Sequence, residues 1–154
     1  MMNKEKEILK EIINYYGVNN QLVVCMEECA ELIKALEEES NILEELVDVE
    51  IMTDKLNIIL GNPMNFCKDK LNDIIKTNII DKKYYKCVFA DLIQGISKYM
   101  RTKKPEKVLQ QLHDSMLEIE FLKTAFDDKD IKEMRNYKIN RIKARMEREE
   151  KEYF

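Results

Sequence analysis

The chain has 154 residues, which is enough for one domain with a substantial buried core. Its 26 basic and 30 acidic residues give a net charge of −4, which argues against a general nucleic-acid-binding protein, because that class needs a clustered basic surface. Charged residues form 36 % of the sequence, with only three glycines, two prolines and no tryptophan, a composition that favours helices over sheets. The charged N-terminus and the absence of a long apolar run predict a cytoplasmic protein without a membrane partner.

Helical periodicity and end signals predict seven helices joined by short loops. Asn41 and Glu44 predict a capping box at the third helix, Gly61 and Pro63 end that helix, and Pro105 suits the first turn of the sixth. Short loops place successive helices antiparallel, so the predicted fold is a single all-α domain, residues 1–154, built as an antiparallel helical bundle. The predicted helices span about 3–16, 20–38, 41–60, 65–77, 81–99, 105–126 and 130–150.

Two short blocks of sequence occur twice in the same order. "AELIKAL" from Ala30 resembles "ADLIQGI" from Ala90, and "ILEELVD" from Ile42 resembles "VLQQLHD" from Val108. The second copy carries six extra residues between its blocks, which we place in a basic loop within "KYMRTKKPEK". The pattern predicts an internal duplication, with copy one at about 18–77 and copy two at about 79–150.

The four cysteines do not form a recognisable metal or disulfide motif. Cys25, Cys29, Cys67 and Cys87 contain no C-x-x-C pair, and no histidine lies near the first two. We therefore expect reduced, buried thiols rather than a zinc site.

Residues 26–50, "MEECAELIKALEEESNILEELVDVE", carry ten acidic side chains and one lysine, although apolar residues recur at helical intervals. On a helical wheel, Glu28 falls within the apolar arc of its helix and Glu31 borders that arc. Glu45 and Asp48 fall on the apolar face of the following helix. Each pair is three residues apart and projects from adjacent turns, so a short loop can bring all four carboxylates together. Glu27, Glu37, Glu38 and Glu39 read as a solvated face. For Glu50 we expect support of the metal ligands or a helix contact rather than ligation.

Four converging carboxylates need a positive partner. Two like charges ~5 Å apart repel by roughly 3 kcal/mol at an effective dielectric near 20, and several such pairs rival the whole stability of a domain. A hard divalent cation that prefers oxygen ligands neutralises them best. A di-iron carboxylate bundle requires Glu-x-x-His pairs, and the single histidine, His113, lies in neither helix. The sequence therefore predicts a magnesium site, with manganese as the alternative.

These residues resemble a known family. The spacing Glu27-Glu28-x-x-Glu31, followed by Glu45-x-x-Asp48, is similar to the E-E-x-x-E…E-x-x-D signature of the MazG-like nucleoside triphosphate pyrophosphohydrolases. That family belongs to the all-α NTP pyrophosphatases, which include dimeric dUTPases and phosphoribosyl-ATP pyrophosphohydrolases. The resemblance implies that Glu28, Glu31, Glu45 and Asp48 hold magnesium, and that an NTP or dNTP is hydrolysed to its monophosphate and pyrophosphate. Glu28 and Glu31 are both candidates for accepting the proton of the attacking water, and the sequence does not choose between them.

Basic residues that could contact the substrate's phosphates occur in three places. The family's N-x-K-x-x-R segment matches "NYKINR", which supplies Asn136, Lys138 and Arg141. The alternative is an ordinary basic stripe on a solvated helix. Lys34 and Lys55 could each reach a phosphate, or could simply be solvated. No feature identifies the base or the sugar.

The two copies differ in their acids. In copy two, Val88 stands at the position of Glu28 and Gln111 at that of Glu45, while Asp91 and Asp114 keep a carboxylate. We expect no strong magnesium site there. Because family members are usually dimeric, the resemblance implies an intramolecular pseudo-dimer with one site per chain and leaves further pairing into a homodimer open. The alternative function is a non-catalytic helical interaction or regulatory module derived from the same fold.

Overall fold

A computed structural model of the protein describes residues 3–61, 63 and 82–153, with side chains for 3–61, 63 and 87–150. The chain in these ranges is almost entirely helical, and the predicted all-α fold is confirmed. The predicted helix at 65–77 and Cys67 lie outside the described residues. The helices are α1 (Asn3–Tyr16), α2 (Val18–Glu38), α3 (Ile42–Ile59), α4 (Lys82–Thr102), α5 (Glu106–Lys123) and α6 (Asp128–Tyr153).

The capping box predicted at the start of α3 is wrong. Asn41 precedes the helix, but its φ of 58° and ψ of 27° are left-handed, and its side chain makes no capping hydrogen bond. A capping side chain reaches the first helical N–H groups from an extended backbone. The tight turn after α2 uses left-handed residues at Glu39 and Asn41 instead. Pro105 likewise lies one residue before α5 rather than within its first turn.

The two hairpins have connections of the same length. Residues 39–41 join α2 to α3, and residues 103–105 join α4 to α5. Each connection starts with a left-handed residue, Glu39 at φ 53° and Lys103 at φ 58°. The predicted long basic loop is therefore wrong, because Lys98 and Arg101 belong to α4. Counted from the repeated blocks, the extra residues of the second hairpin lie in the ends of α4 and α5 next to the connection. The described helices of both hairpins have the same lengths, 21 and 18 residues.

Four helices form the main core. α2 packs against α3 and α4, and α5 packs against α4 and α3, so the two hairpins face each other as a four-helix bundle. Large side chains fill its interior and are at most 1 % exposed: Leu22, Leu32, Leu46, Leu56, Phe89, Leu92, Ile96 and Leu112. Burying an aliphatic or aromatic side chain of this size contributes about 1.5–3 kcal/mol, so this core provides the main stabilisation of the fold.

A second, smaller core covers the outer side of α3. Leu9 and Ile12 of α1, Val47 and Ile51 of α3, and Ile139 of α6 pack together there. As a result α3 is buried on two faces, and its polar side chains lie in the narrow strips between them. No helix in the described ranges is both long and apolar enough to cross a membrane.

Candidate metal centre

Three carboxylates from α2 and α3 converge. Glu28 and Glu31 project from adjacent turns of α2, and Glu45 projects from the first turn of α3. One oxygen from each of the three side chains lies within 4.8 Å of the other two. Glu28 and Glu45 are half-buried and Glu31 is exposed, so the group opens to solvent on the Glu31 side. The three-residue turn between the helices makes this possible, because it places the end of α2 beside the start of α3.

Asp48 lies next to these three residues and interacts with each of them electrostatically. Its Oδ2 accepts a hydrogen bond of 3.0 Å from Lys138 Nζ, which also donates to Glu44 Oε1 at 2.9 Å. Three of the four predicted ligands thus converge within 4.8 Å, and Asp48, the fourth, lies beside that group with a lysine already in contact with it. We call Glu28, Glu31, Glu45 and Asp48 the acidic cluster.

Burial, together with mutual repulsion, raises the pKa values within the acidic cluster. Burial, then repulsion from Asp48 and Glu31, raises the pKa of Glu28 to about 8. Burial and the charges of Glu31 and Asp48 likewise raise the pKa of Glu45. Burial also raises the pKa of Asp48, even though the hydrogen bond from Lys138 opposes the shift. The acidic cluster therefore favours a bound proton or a cation over four free charges.

Two oxygens of the acidic cluster lack any partner. Oε2 of Glu28 and Oε2 of Glu45 are both buried and accept no hydrogen bond. Leaving a buried polar atom unpaired costs about 1–3 kcal/mol. An ionised carboxylate oxygen accepts a hydrogen bond or binds a cation. Since these two oxygens have no hydrogen-bond donor, they are available to an ion bound between the helices.

Lys55 lies in the interior beside the acidic cluster. It is 2 % exposed and donates a hydrogen bond of 2.9 Å to Gln21 Oε1. Burial lowers the pKa of Lys55 to about 8, while the charges of Cys25, Glu28 and Asp48 oppose that shift. The sequence prediction had Lys55 either contacting a phosphate or solvated, and the structure gives its ammonium a partner inside the protein.

The other predicted phosphate contacts lie in different environments. Lys34 is exposed and its ammonium lies 4.0 Å from Glu38. Arg141 is exposed on α6, and its charge reaches Glu44. Asn136 is exposed on the same helix, but two residues along a helix turn a side chain by about 200°, so it faces away from Lys138. The structure thus brings Lys138 and Arg141 to the flank of the acidic cluster and does not bring Asn136 there.

A second group of acids, on the other side of α3, is neutralised by basic residues. Glu50 Oε1 accepts a hydrogen bond of 2.6 Å from Arg135, and Glu50 Oε2 lies 2.6 Å from Lys123 Nζ. Arg135 also pairs with Asp54 at 2.7 Å and with Glu5. We call these five residues the anchor network, because they join α1, α3, α5 and α6.

The anchor network gives Glu50 the predicted helix-contact role. Sequence reasoning missed the two basic residues and Asp54. The spacing of Glu50 and Asp54, four residues apart on one side of α3, was the available signal that a cation must face them. Sequence reasoning also missed Glu44 as a partner of Lys138, because Glu44 had been assigned to a capping box.

In the second hairpin, the region around Gln111, the position equivalent to Glu45, is polar. It contains one buried acid, Glu118. Gln111 extends over Gly95, where an added Cβ would lie 1.6 Å from its Oε1. Gln111 Oε1, Ser115 Oγ and Glu118 Oε2 are buried without a hydrogen-bond partner. Burial, and to a lesser degree the charge of Asp114, raises the pKa of Glu118 to about 7. Glu118 was not foreseen, although its position seven residues after Gln111 places both on one face of α5.

The cysteine prediction is correct for two residues and wrong for one. Cys25 and Cys29 are free and buried, one turn apart on α2, whereas Cys87 is free but exposed on α4. Neighbouring helices cover α2 along this face, and they leave the start of α4 open at Cys87.

No family model, curated protein or solved structure matches the chain. The resemblance therefore depends on the spacing of the acids and on the short match at residues 136–141.

Proposed function

We propose that the protein is a magnesium-dependent nucleoside triphosphate pyrophosphohydrolase, which converts an NTP or dNTP to its monophosphate and pyrophosphate. One observation carries the proposal. The oxygens of Glu28, Glu31 and Glu45 lie within 4.8 Å of one another, in the order and spacing of the MazG-like signature. A helical scaffold gains nothing from placing these acids together, whereas an enzyme that binds a metal–triphosphate complex requires them.

The donor set fits a magnesium or manganese ion. Carboxylate oxygens are the ligands that both ions prefer, and the unpaired buried oxygens of Glu28 and Glu45 would gain the partner that they lack. Glu28, Glu31, Glu45 and Asp48 would hold the ion. When bound, it would neutralise phosphate charge and make a bound water more acidic.

The residues of the chain itself supply the remaining steps. Glu28 or Glu31 would accept the proton of the attacking water, and the half-buried Glu28, with its raised pKa, retains a proton more readily once it has taken one. Lys138 and Arg141 lie beside the acidic cluster and could neutralise the phosphate chain. Lys34 lies one turn beyond Glu31 and is free to swing, because its pairing with Glu38 is exposed and weak.

We further propose that the two hairpins arose by duplication and form a pseudo-dimer. Equivalent positions of the two copies are buried together: Cys29 and Phe89, Leu32 and Leu92, Ala35 and Gly95, Leu46 and Leu112. The acids do not follow this symmetry, since Val88 is buried where Glu28 stands in copy one, and Gln111 replaces Glu45. One site per chain follows, and association into a homodimer remains compatible with it.

The test is pyrophosphate release from a panel of canonical, deoxyuridine, deoxycytidine and oxidised nucleoside triphosphates. We expect release with magnesium and none with EDTA. Glu45→Gln keeps the size of the side chain and removes a ligand charge, so it should lower the rate at least about 100-fold, in the range of a lost metal ligand. The exposed Glu37→Gln on α2 is the matched control and should retain the wild-type rate.

Two results would reject the enzyme. One is the absence of pyrophosphate release from every nucleotide, and the other is an unchanged rate in Glu45→Gln. In either case the non-catalytic helical module becomes the better assignment, and its partner would have to be sought by binding rather than by turnover.

A further inference from the structure

The last helix places an ammonium group on one of the proposed metal ligands. Lys138 Nζ lies 3.0 Å from Asp48 Oδ2 and 2.9 Å from Glu44 Oε1. Lys138 is 8 % exposed, so water screens the pairs less than it screens a surface ion pair. The contact with Asp48 joins positions 90 residues apart, and it exists only because α6 packs along α3.

The position of Lys138 is fixed by the packing around it. The next residue, Ile139, is 4 % exposed and belongs to the core that α6 shares with Val47 and Ile51 of α3. The backbone of α6 therefore cannot withdraw from Asp48 without opening that core. What remains free is the long side chain, whose ammonium can move between the two carboxylates that it contacts.

Those two carboxylates differ in their proposed roles. Asp48 interacts with Glu28, Glu31 and Glu45 and belongs to the acidic cluster. Glu44 belongs to the same turn of α3 but lies outside the cluster, and it is more exposed, with 45 % of its side chain accessible. Lys138 is thus shared between one proposed metal ligand and one carboxylate that stays available when a metal is bound.

We propose that Lys138 is an internal counter-cation of the metal-free site: it occupies Asp48 until a divalent cation binds, and then moves onto Glu44 alone. The inference rests on the proposed function. An ammonium and a divalent ion compete for the same oxygen, and two cations at such short distances repel each other. Lys138 therefore lowers the affinity of the acidic cluster for a cation. In the metal-free protein it offsets the repulsion among the four carboxylates.

A different role for Lys138 gives the opposite result. If Lys138 only orients Asp48 for the metal, its removal should weaken cation binding, as the loss of a supporting hydrogen bond does at other metal sites. The sign of the change in affinity therefore distinguishes the two roles.

The experiment is a titration of the nucleotide-free, full-length protein with Mn²⁺, in which free Mn²⁺ is measured by electron paramagnetic resonance in 150 mM KCl. Lys138→Met keeps an unbranched side chain and removes the charge, and we expect it to bind Mn²⁺ about tenfold more tightly, as the loss of a charged hydrogen bond to the ligand implies. Arg145→Met is the control for a general change of charge. It removes a positive charge from an exposed side chain two turns further along the same face of α6, and it should change affinity by less than about twofold in this salt.

Lys138→Arg provides a second variant with the opposite expectation. An arginine can hold both carboxylates through its fork of N–H groups, so we expect Mn²⁺ to bind several-fold more weakly than to wild type. This variant tests the idea even if Lys138→Met fails to fold.

Three outcomes would overturn the inference: an unchanged or lower affinity in Lys138→Met, equal shifts in Lys138→Met and Arg145→Met, or tighter binding in Lys138→Arg. These results leave the proposed function intact as long as wild type binds Mn²⁺. If wild type binds no Mn²⁺, the proposed function fails, and the role of Lys138 fails with it.

Discussion

Two groups of acidic side chains lie on opposite sides of α3, and they are neutralised in different ways. In the anchor network, each of the three carboxylates, from Glu5, Glu50 and Asp54, pairs directly with Arg135, and Glu50 also pairs with Lys123. In the acidic cluster, among the residues that the structure describes, a direct ion pair is made by Asp48 and not by the three glutamates. About 170° of helical rotation separates the two groups.

This difference distinguishes carboxylates that basic side chains of the protein neutralise from the three glutamates, which make no direct ion pair among the described residues. Burial and repulsion from other acids raise the pKa of a carboxylate, whereas a nearby cation or a hydrogen-bond donor lowers it. Although Glu50 is buried, the charges and hydrogen bonds of Arg135 and Lys123 lower its pKa. In the acidic cluster the pKa values of Glu28, Glu45 and Asp48 are all raised. The anchor network contains its own cations, whereas we propose that a bound divalent ion completes the acidic cluster.

The largest effect is expected from breaking the anchor network. Arg135→Met leaves three poorly hydrated carboxylates without their shared cation, and removing one partner from a buried ion-pair network costs about 3–5 kcal/mol. Chemical denaturation followed by circular dichroism should record this loss. The exposed Arg145→Met, ten residues along the same helix, should change stability by less than about 0.5 kcal/mol. A similar small loss in Arg135→Met would mean that the network contributes little.

The acidic cluster should respond in the opposite direction. Glu28→Gln removes a charge that its neighbours repel, so the metal-free protein should gain about 1 kcal/mol at pH 8 and should lose its response to magnesium. Glu118→Gln is the comparison, because it neutralises a buried, unpaired acid outside the acidic cluster. It should also stabilise the protein at pH 8 but leave the magnesium response unchanged. A destabilised Glu28→Gln would contradict the repulsion inferred here.

Glu28 and Glu50, one from each group, should also respond oppositely to pH, whereas burial raises the pKa of Asp54 in the anchor network. The folded-state pKa of Glu28 is about 8, above its ordinary value of 4.5, so the folded protein holds a proton that the unfolded chain releases. Its contribution to stability is therefore full below about 4.5 and is lost as the pH rises to about 8. The pKa of Glu50 is lowered, so its contribution is present above its ordinary pKa and is lost on acidification.

Stability curves measured from about pH 2 to pH 9 in EDTA test both directions, because the contribution of Glu50 is lost only below its ordinary pKa of 4.5. Glu28→Gln should flatten the alkaline side, and Glu50→Gln should flatten the acid side. If Glu28→Gln leaves the slope between pH 5 and pH 8 unchanged, Glu28 does not carry the proton assigned to it.

The smallest effect is expected from adding the ion. A ligand that binds only the folded state stabilises it by about 2.7 kcal/mol at 100 times its dissociation constant, and by less at lower excess. Magnesium at a few times its dissociation constant should therefore raise the free energy of unfolding by about 1 kcal/mol, a few degrees in Tm for a chain of this length. Glu45→Gln should show no such shift, and Arg135→Met should keep it if it still folds.

Much of this protein followed from local patterns in its sequence. The bounds of α1 and the presence of five further helices were predicted from periodicity and from Gly17, Gly61 and the prolines, because these signals act within a few residues. The same periodicity identified Glu28, Glu45 and Asp48 as acids on apolar faces. A side chain's position on a helix depends only on counting residues.

Tertiary packing alone decided which charges meet. Whether Lys138 contacts Asp48, whether Lys55 turns inward to Gln21, and whether Arg135 reaches Glu5 depend on how α6, α2 and α1 lie against α3. These contacts span 34 to 130 residues of chain. Local periodicity does not encode these pairings. The burial of apolar faces sets how the helices pack, and that packing determines which carboxylates each basic side chain can reach.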